Sequence, residues 1–389
     1  RIYIVENMTD RQRILFRLLV LPFLAALLLP YTLKNWMFDH SLDLFYYLFV
    51  SFLMSFGLLP LFYKLGIIMD ITDAPGGRHH HARPTPRTGG IAIFITFIAT
   101  LNLVANPPVE FQGLFWASTI IAGIGIIDDI RGLPAFVKLI GQFIATIILV
   151  QHGIVLSFIP DHEFMHIISI TLTFLWIIGI TNAINFLDGL DGLATGLAIV
   201  ISFFCAAISY NVGNQFMLIV SIIFMGSLCG FFPYNFRFRK RALIFLGDSG
   251  STFIGFTLAA LALYGDWGIH KNVGLAIPIL LFAVPITDTL LTNMMRIITK
   301  KVHTFKELLE YTGNDHFHHR LQNLGLRPKT VVFVICLFTT TMGLLSLLLK
   351  RGDLYESLIA LSIGIIILYL VISFMIFQEH RNCDEIVKK

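Results

Sequence analysis

The sequence predicts an all-α fold, a polytopic transmembrane helix bundle of about 11–12 spans with its active chemistry on the cytoplasmic face. Three observations predict it. Hydrophobic residues fill 56% of the 389 positions and charged residues only 13%, against roughly 25% charged in an average soluble domain. The mean hydropathy is +0.79, and the apolar residues collect into runs long enough to cross about 30 Å of hydrocarbon. The third observation is the one-sided placement of Lys and Arg described below. A water-soluble globule is excluded. Cys205, Cys229, Cys336 and Cys383 show no CxxC spacing, so neither a disulfide framework nor a zinc site is indicated. The net charge of +4 reflects basic loops at a membrane and implies no nucleic acid partner.

Twelve runs qualify as spans: 14–33, 43–63, 89–106, 113–127, 138–151, 164–182, 193–210, 214–232, 250–264, 272–295, 331–349 and 355–377. They are expected to be helices, because backbone facing lipid must satisfy its own hydrogen bonds. The weakest is 14–33, which carries Arg17. With the residues before Arg13 in the cytoplasm, twelve crossings place loops 64–88, 128–137, 183–192, 233–249 and 296–330 and the C-terminal tail on that same side. Those regions, with the adjoining first helical turns, hold 24 of the 28 Lys and Arg residues, leaving only Lys34, Lys271, Lys350 and Arg351 outside. A missed or invented span would scramble this split.

Carboxylates next to apolar helices carry the functional signal. Asp128 and Asp129 follow Ile126-Ile127 at a helix end. Adjacent carboxylates raise one another's pKa unless a cation stands nearby, so the pair suggests Mg²⁺, a general base, or both; it also reads as a cap on the turn at Gly132-Leu133-Pro134. Asn182, Asn185, Asp188 and Asp191 step by three, which on a helix forms one slowly drifting stripe of oxygen donors suited to a hard cation. The bland alternative is a solvated loop of turn formers. Gly247-Asp248-Ser249-Gly250-Ser251 opens the next apolar run, where small residues allow close backbone approach and helix N–H groups favour phosphate. It lacks the GxxxxGK[ST] string of a P-loop.

Basic groups supply the counterpart. Arg78 and His81 precede Gly89-Gly90, Lys138 opens a span, and His316, His318 and His319 lie in the longest cytoplasmic loop. Phosphate recognition suits them better than zinc. Arg237, Arg239, Lys240, Arg241, Lys300 and Lys301 read as anchors to anionic headgroups. Asp288, inside the run 272–295, is expected to face a partner, and Arg296 lies two turns away on the same helix face. Clustered carboxylates, a divalent metal and phosphate-binding groups in a bundle open to lipid fit phosphoryl transfer from a soluble diphosphate to a lipid phosphate. An ion-coupled transporter would instead put its acids near the midplane of two repeated halves.

In order, Asp73-x-Pro75-x-x-Arg78-x-x-His81, Pro86-x-x-Gly89-Gly90, Asp128-Asp129 with Lys138 and Gln142, Asn182 to Gly192, Phe232 to Phe236, Phe245 to Ser251, Pro285 to Thr289 and His316 to Leu321 cover residues 43–349. This ordered set resembles the polyprenyl-phosphate N-acetylhexosamine-1-phosphate transferases (glycosyltransferase family 4). The resemblance implies transfer of a sugar 1-phosphate from a UDP-sugar donor to undecaprenyl phosphate, releasing UMP. It implies Mg²⁺, with Mn²⁺ as a substitute, a multi-pass location in the inner (plasma) membrane among its lipids, and room for a homodimer.

Carried onto this sequence, it implies Asp248 as principal metal ligand, helped by Asn185 and Asp188. Phe245 would stack on uracil, Gly247 would belong to the nucleotide and diphosphate site, and Asp191 would help hold the nucleoside. Lys138, His316, His318 and His319 would bind the diphosphate, and Asp128 and Asp129 would orient or deprotonate the acceptor phosphate. Arg78, His81, Asp288 and Arg296 are support. The pattern resembles most the undecaprenyl-phosphate GlcNAc-1-phosphate branch, with UDP-MurNAc-pentapeptide or another UDP-hexosamine as the alternative donor. His79, where the family usually has Lys, and the segment from Phe305 to Asn314 depart from it. The expected organisation is an extension with an extra helix at 1–42, a transferase domain at 43–349, and a final span and cytoplasmic tail at 350–389.

Overall fold

The computed structural model describes residues 31–73, 84–103, 108–156, 163–265, 267, 276–311, 313–349 and 354–387. Most of the run 14–33 lies outside them. The other runs become α2 (Asp43–Ile68), α3 (Gly89–Leu103), α4 (Val109–Arg131), α5 (Ala135–Gln151), α6 (Glu163–Leu187), α7 (Leu193–Val212), α8 (Gln215–Asn235), α9 (Gly247–Tyr264), α10 (Ala276–Leu281) with α11 (Ala283–Ile298), α14 (Pro328–Leu348) and α15 (Leu354–Val387). Short helices α1 (Tyr31–Asp39), α12 (Phe305–Glu310) and α13 (Phe317–Asn323) complete the order. Among the described residues, six helices, namely α2, α4, α6, α7, α8 and α14, are each long and apolar enough to cross a membrane. The chain is a multi-pass, all-α membrane protein.

Two expectations need correction. The run 272–295 is not one continuous helix, since α10 and α11 part at Phe282. Pro285 has no N–H to return to the Leu281 carbonyl, which frees the backbone there to bend. The stripe from Asn182 to Asp191 is likewise not wholly helical, because α6 stops at Leu187. Asp188 and Asp191 lie in a turn that Gly192 closes at φ +81°, a conformation that glycine adopts without a Cβ penalty.

Helix α9 is the hub, packed against α3, α4 and α6 and buried along almost its whole length. Burying a helix on all sides needs small residues where backbones meet. A Cβ on Gly90 of α3 would lie 2.1 Å from Gly250 Cα, one on Gly125 of α4 would lie 2.4 Å from Ser249 Cα, and one on Gly255 would lie 2.9 Å from Thr181 Cα of α6. Gly90→Ala is therefore expected to force α3 from α9 and cost about 1–3 kcal/mol, the usual range for overpacking. Gly123→Ala, which meets nothing within 4 Å, should leave stability at the wild-type level; denaturation in detergent compares the two.

The approach to α9 is stitched to the chain before α3. Strands β1 (Thr72–Asp73) and β2 (Thr85–Pro86) pair antiparallel, and an Arg87–Asp73 ion pair braces them. Phe245 N then donates to Pro86 O at 2.8 Å, Gly89 N to Phe245 O at 3.1 Å and Gly90 N to Leu246 O at 2.9 Å.

Candidate active site

Alternating helix directions bring the C-termini of α4, α6 and α8 to the same end of the bundle as the N-termini of α3, α5, α7 and α9. The described candidates from the sequence lie at that end, on helix termini or in the adjoining turns and loop, except Asp288, which sits inside α11 and meets the histidine loop from there. Arg78 and His81 lie outside the described residues.

The centre is Lys138, in the first turn of α5. Its Nζ lies 2.8 Å from Asp128 Oδ2 and 3.8 Å from Asp248 Oδ1. Asp128 is buried, and its other oxygen accepts Leu133 N at 2.5 Å. The neighbouring Asp129 points to a different task. Its two oxygens accept the backbone N–H groups of Asp248 at 2.8 Å and Ser249 at 3.0 Å. A carboxylate from α4 thus caps α9, satisfying two of its orphan donors and complementing its dipole. Gly247 is required at this junction. Its φ is +75°, and a Cβ there would meet Arg87 O at 2.3 Å and Asp129 Oδ2 at 2.7 Å.

Asn185 Nδ2 donates to Asp248 Oδ1 at 2.9 Å and to Ser251 Oγ at 2.7 Å, leaving its own Oδ1 for a cation. Asp188 keeps a little exposed surface yet lies deep in this end of the bundle. Burial pushes its carboxyl well above the ordinary carboxylate range, and the nearby charges of Asp248, Asp129 and Asp191 push it further. Such crowding calls for a compensating cation. Two carboxylates and an amide oxygen suit Mg²⁺, which usually takes one or two protein carboxylates and fills its octahedron with water and phosphate oxygens. No group of three His, Cys, Asp or Glu side chains converges as a metal cluster among the described residues.

Asp191 turns away from this group, its Oδ2 accepting Ala242 N at 2.9 Å. Phe245 is half-buried just before α9. In the histidine loop, Asp288 meets His316 and Phe317 rather than the expected Arg296. Arg296 is instead paired with Asp315. Burial would raise the Asp315 carboxyl, but this pairing outweighs it and holds it below its ordinary value. His318 is buried, which with the nearby His319 and His316 depresses its pKa to about 3. At pH 7 it is neutral and offers an anion one N–H donor rather than a charge.

Three amides have positioning roles that sequence reasoning did not assign, Asn182 having been read there as a member of the cation-binding stripe. Asn235, buried at the end of α8, accepts Gly192 N at 2.7 Å and donates to Ile244 O at 3.1 Å, joining the acidic turn to the approach to α9. Gln142 and Asn182 exchange amide bonds at 2.7 and 3.3 Å, tying α5 to α6. The available signal was a single amide interrupting each apolar run, which must find a partner in lipid surroundings.

Beside the site, a cavity of about 350 Å³ opens between α6 and α10–α11, lined by Leu156, Leu172, Leu175, Trp176, Gly179, Ile180, Ala183, Ile279, Ile286, Thr289 and Leu290. The helical turns that carry Ala183 and Thr289 also carry Asn182, Asn185 and Asp288, so that end of the cavity is the one nearer the polar cluster.

Fold and site together define a membrane-embedded helix bundle with a lysine-bridged carboxylate centre at one end. The pattern described as glycosyl transferase family 4 matches residues 111–266. A Bacillus subtilis protein described as a probable undecaprenyl-phosphate N-acetylglucosaminyl 1-phosphate transferase is 33% identical over 328 residues, spanning 83% of this chain and 89% of the relative. The decaprenyl-phosphate N-acetylglucosaminephosphotransferase of Mycobacterium leprae is 34% identical over 312 residues, 70% of this chain and 76% of the relative. A phospho-N-acetylmuramoyl-pentapeptide-transferase of Clostridium botulinum is 28% identical over 314 residues, 74% and 90%. The chain belongs to glycosyl transferase family 4.

Proposed function

We propose that this protein transfers N-acetylglucosamine 1-phosphate from UDP-GlcNAc to undecaprenyl phosphate, giving lipid-diphosphate-linked sugar and UMP. This is the first membrane step of a cell-envelope polysaccharide. The observation that carries the reading is the placement of Lys138 Nζ between Asp128 and Asp248; the apolar cavity between α6 and α10–α11 is suited to a polyprenyl chain. The relatives named for GlcNAc-phosphate transfer support this sugar over the muramoyl-pentapeptide. The one-sided distribution of Lys and Arg supports a site facing the cytoplasm from the plasma membrane.

Mg²⁺, held by Asp248, Asn185 and Asp188, would supply charge neutralisation across the donor diphosphate. Lys138 adds a second positive charge beside the reacting phosphates. An oxygen of the acceptor phosphate attacks the phosphorus bonded to the sugar; the new P–O bond forms as the P–O bond to UMP breaks and UMP leaves as an anion. Direct attack is favoured over a covalent aspartyl intermediate. Asp128 is engaged by Lys138 and Leu133 N, and Asp129 by two backbone donors, so each carboxylate already has a positioning task, and an acceptor phosphate oxygen that is already ionised needs little activation.

The test is UMP release by the purified protein with undecaprenyl phosphate, Mg²⁺, and UDP-GlcNAc, UDP-GalNAc or UDP-MurNAc-pentapeptide in turn. UDP-GlcNAc is expected to be the preferred donor, and EDTA is expected to stop turnover until Mg²⁺ is restored. Release with none of the three defeats the enzyme reading. Preference for the pentapeptide donor defeats the choice of sugar, and EDTA-resistant turnover defeats the metal.

A further inference from the structure

Asp288, Thr292 and Arg296 recur every four residues and share one stripe of α11. They are 3%, 1% and 2% exposed, and all three bond to the segment 315–317. Arg296 Nε donates to Asp315 Oδ2 at 2.8 Å and its Nη2 to Asp315 Oδ1 at 2.7 Å. Thr292 Oγ1 reaches Asp315 O at 3.4 Å. Asp288 Oδ1 accepts Phe317 N at 2.5 Å, and its Oδ2 lies 2.8 Å from His316 Nδ1.

The other nitrogen of His316, Nε2, lies 3.4 Å from Arg296 Nη2. A guanidinium can only donate, so Nε2 accepts and the imidazole proton sits on Nδ1, directed at Asp288. Both nitrogens of His316 are therefore occupied by α11, and its ring packs on Phe186 at 5.3 Å between centroids. His318 is in the opposite condition. It is 1% exposed, and neither of its nitrogens has a partner among the described residues. Its Nε2 sits only 2.3 Å from where a Cβ on Gly189 would be, which places the ring against the acidic turn.

We propose that Asp288, Thr292 and Arg296 form a clamp that makes His316 the fixed pivot of the histidine loop, and that of these two imidazoles His318 alone meets a donor phosphate. This division of roles rests on the transferase reading; the clamp itself does not. Asp288, Thr292, Arg296 and His316 are positioning residues, acting through His318.

Asparagine mimics the Nδ1–H donor of histidine and has no counterpart to Nε2, which separates the roles. His316→Asn keeps the donor to Asp288, so its loss of UMP release and UDP affinity is expected to be at least about tenfold smaller than that of His318→Asn. His318→Asn should lower turnover about 100-fold, as for a misplaced phosphate contact. Equal losses in the two variants would overturn the division of roles. ¹⁵N-histidine NMR in detergent micelles supplies the readout independent of turnover. One imidazole, lost in His316→Asn, should carry its proton on Nδ1, lose that state in Asp288→Ala and stay unmoved by UDP; another, lost in His318→Asn, should shift with UDP. A His316 signal unaffected by Asp288→Ala overturns the clamp, and one that moves with UDP overturns the pivot. Should Asp288→Ala fail to fold, the wild-type tautomer and the two Asn variants decide. If wild type releases no UMP from any UDP-sugar, the transferase reading falls alone and the tautomer still judges the clamp.

Discussion

Asp248→Asn is expected to reduce UMP release by at least about 10³-fold, the scale of losing a central electrostatic contact to transferring phosphate, in a protein that folds as well as wild type. The carboxylate is the meeting point of the site: Asn185 Nδ2 lies 2.9 Å and Lys138 Nζ 3.8 Å from its Oδ1. An amide of the same shape removes the charge that a divalent cation requires. The fold is spared, because the residue's structural work is done by its backbone N–H on Asp129, which the substitution leaves in place.

Stability should also fall less steeply with rising pH than in wild type when divalent cations are chelated. Asp188 is held above its ordinary pKa by burial and then by Asp248. A carboxyl whose folded pKa exceeds its unfolded value, near 3.9, favours the folded state below that unfolded value, and this support is lost as pH rises through the folded pKa. Removing the Asp248 charge brings the two values closer and shrinks the loss at pH 7. The measurement is the melting temperature in EDTA from pH 4 to 8. Because the Asp248 charge also attracts Lys138 at 3.8 Å, the decisive quantity is the pH dependence: a melting temperature that falls from pH 4 to 8 as steeply in the variant as in wild type contradicts the repulsion, and wild-type UMP release contradicts the role given to Asp248.

Lys138→Met should lower kcat/KM by at least about 100-fold and, unlike Asp248→Asn, should also destabilise the protein. The ammonium is the partner of a buried carboxylate, Asp128, at 2.8 Å. Breaking a buried pair costs about 3–5 kcal/mol; partial exposure of Lys138 screens the interaction and puts the expectation below that range. The double variant Lys138→Met/Asp128→Asn tests the cause. If the unpaired carboxylate is the fault, the second change should recover most of the stability and none of the activity. Recovery of turnover would show that the charge of Lys138 has no part in the reaction.

These two predictions join residues that lie far apart in sequence, which marks how much of the site was legible beforehand. Asp128, Lys138, Asn185, Asp188 and Asp248 stood out because charge and amide are costly beside hydrocarbon. The alternation of basic loops further placed them at one end. Their division of labour was not legible. Asp128 and Asp129 are neighbours in the chain with the same side chain, yet one pairs with Lys138 and the other caps α9. Asp288 and Arg296 share a helix face, as their spacing implied, but each reaches outward to the histidine loop instead of to the other. Asn235 drew no role because its two partners, Gly192 and Ile244, come from different loops.

Hydropathy and charge by themselves determined the class of this protein, the approximate course of its helices and the end at which its chemistry collects. Those properties follow from transfer energies that each residue carries wherever it sits. Tertiary structure alone decided which carboxylate holds a helix and which faces a lysine. Hydrogen bonds and ion pairs act over a few ångströms and depend on direction. The close contacts of Gly90, Gly125 and Gly255 around α9 set those directions, and no local sequence pattern records them.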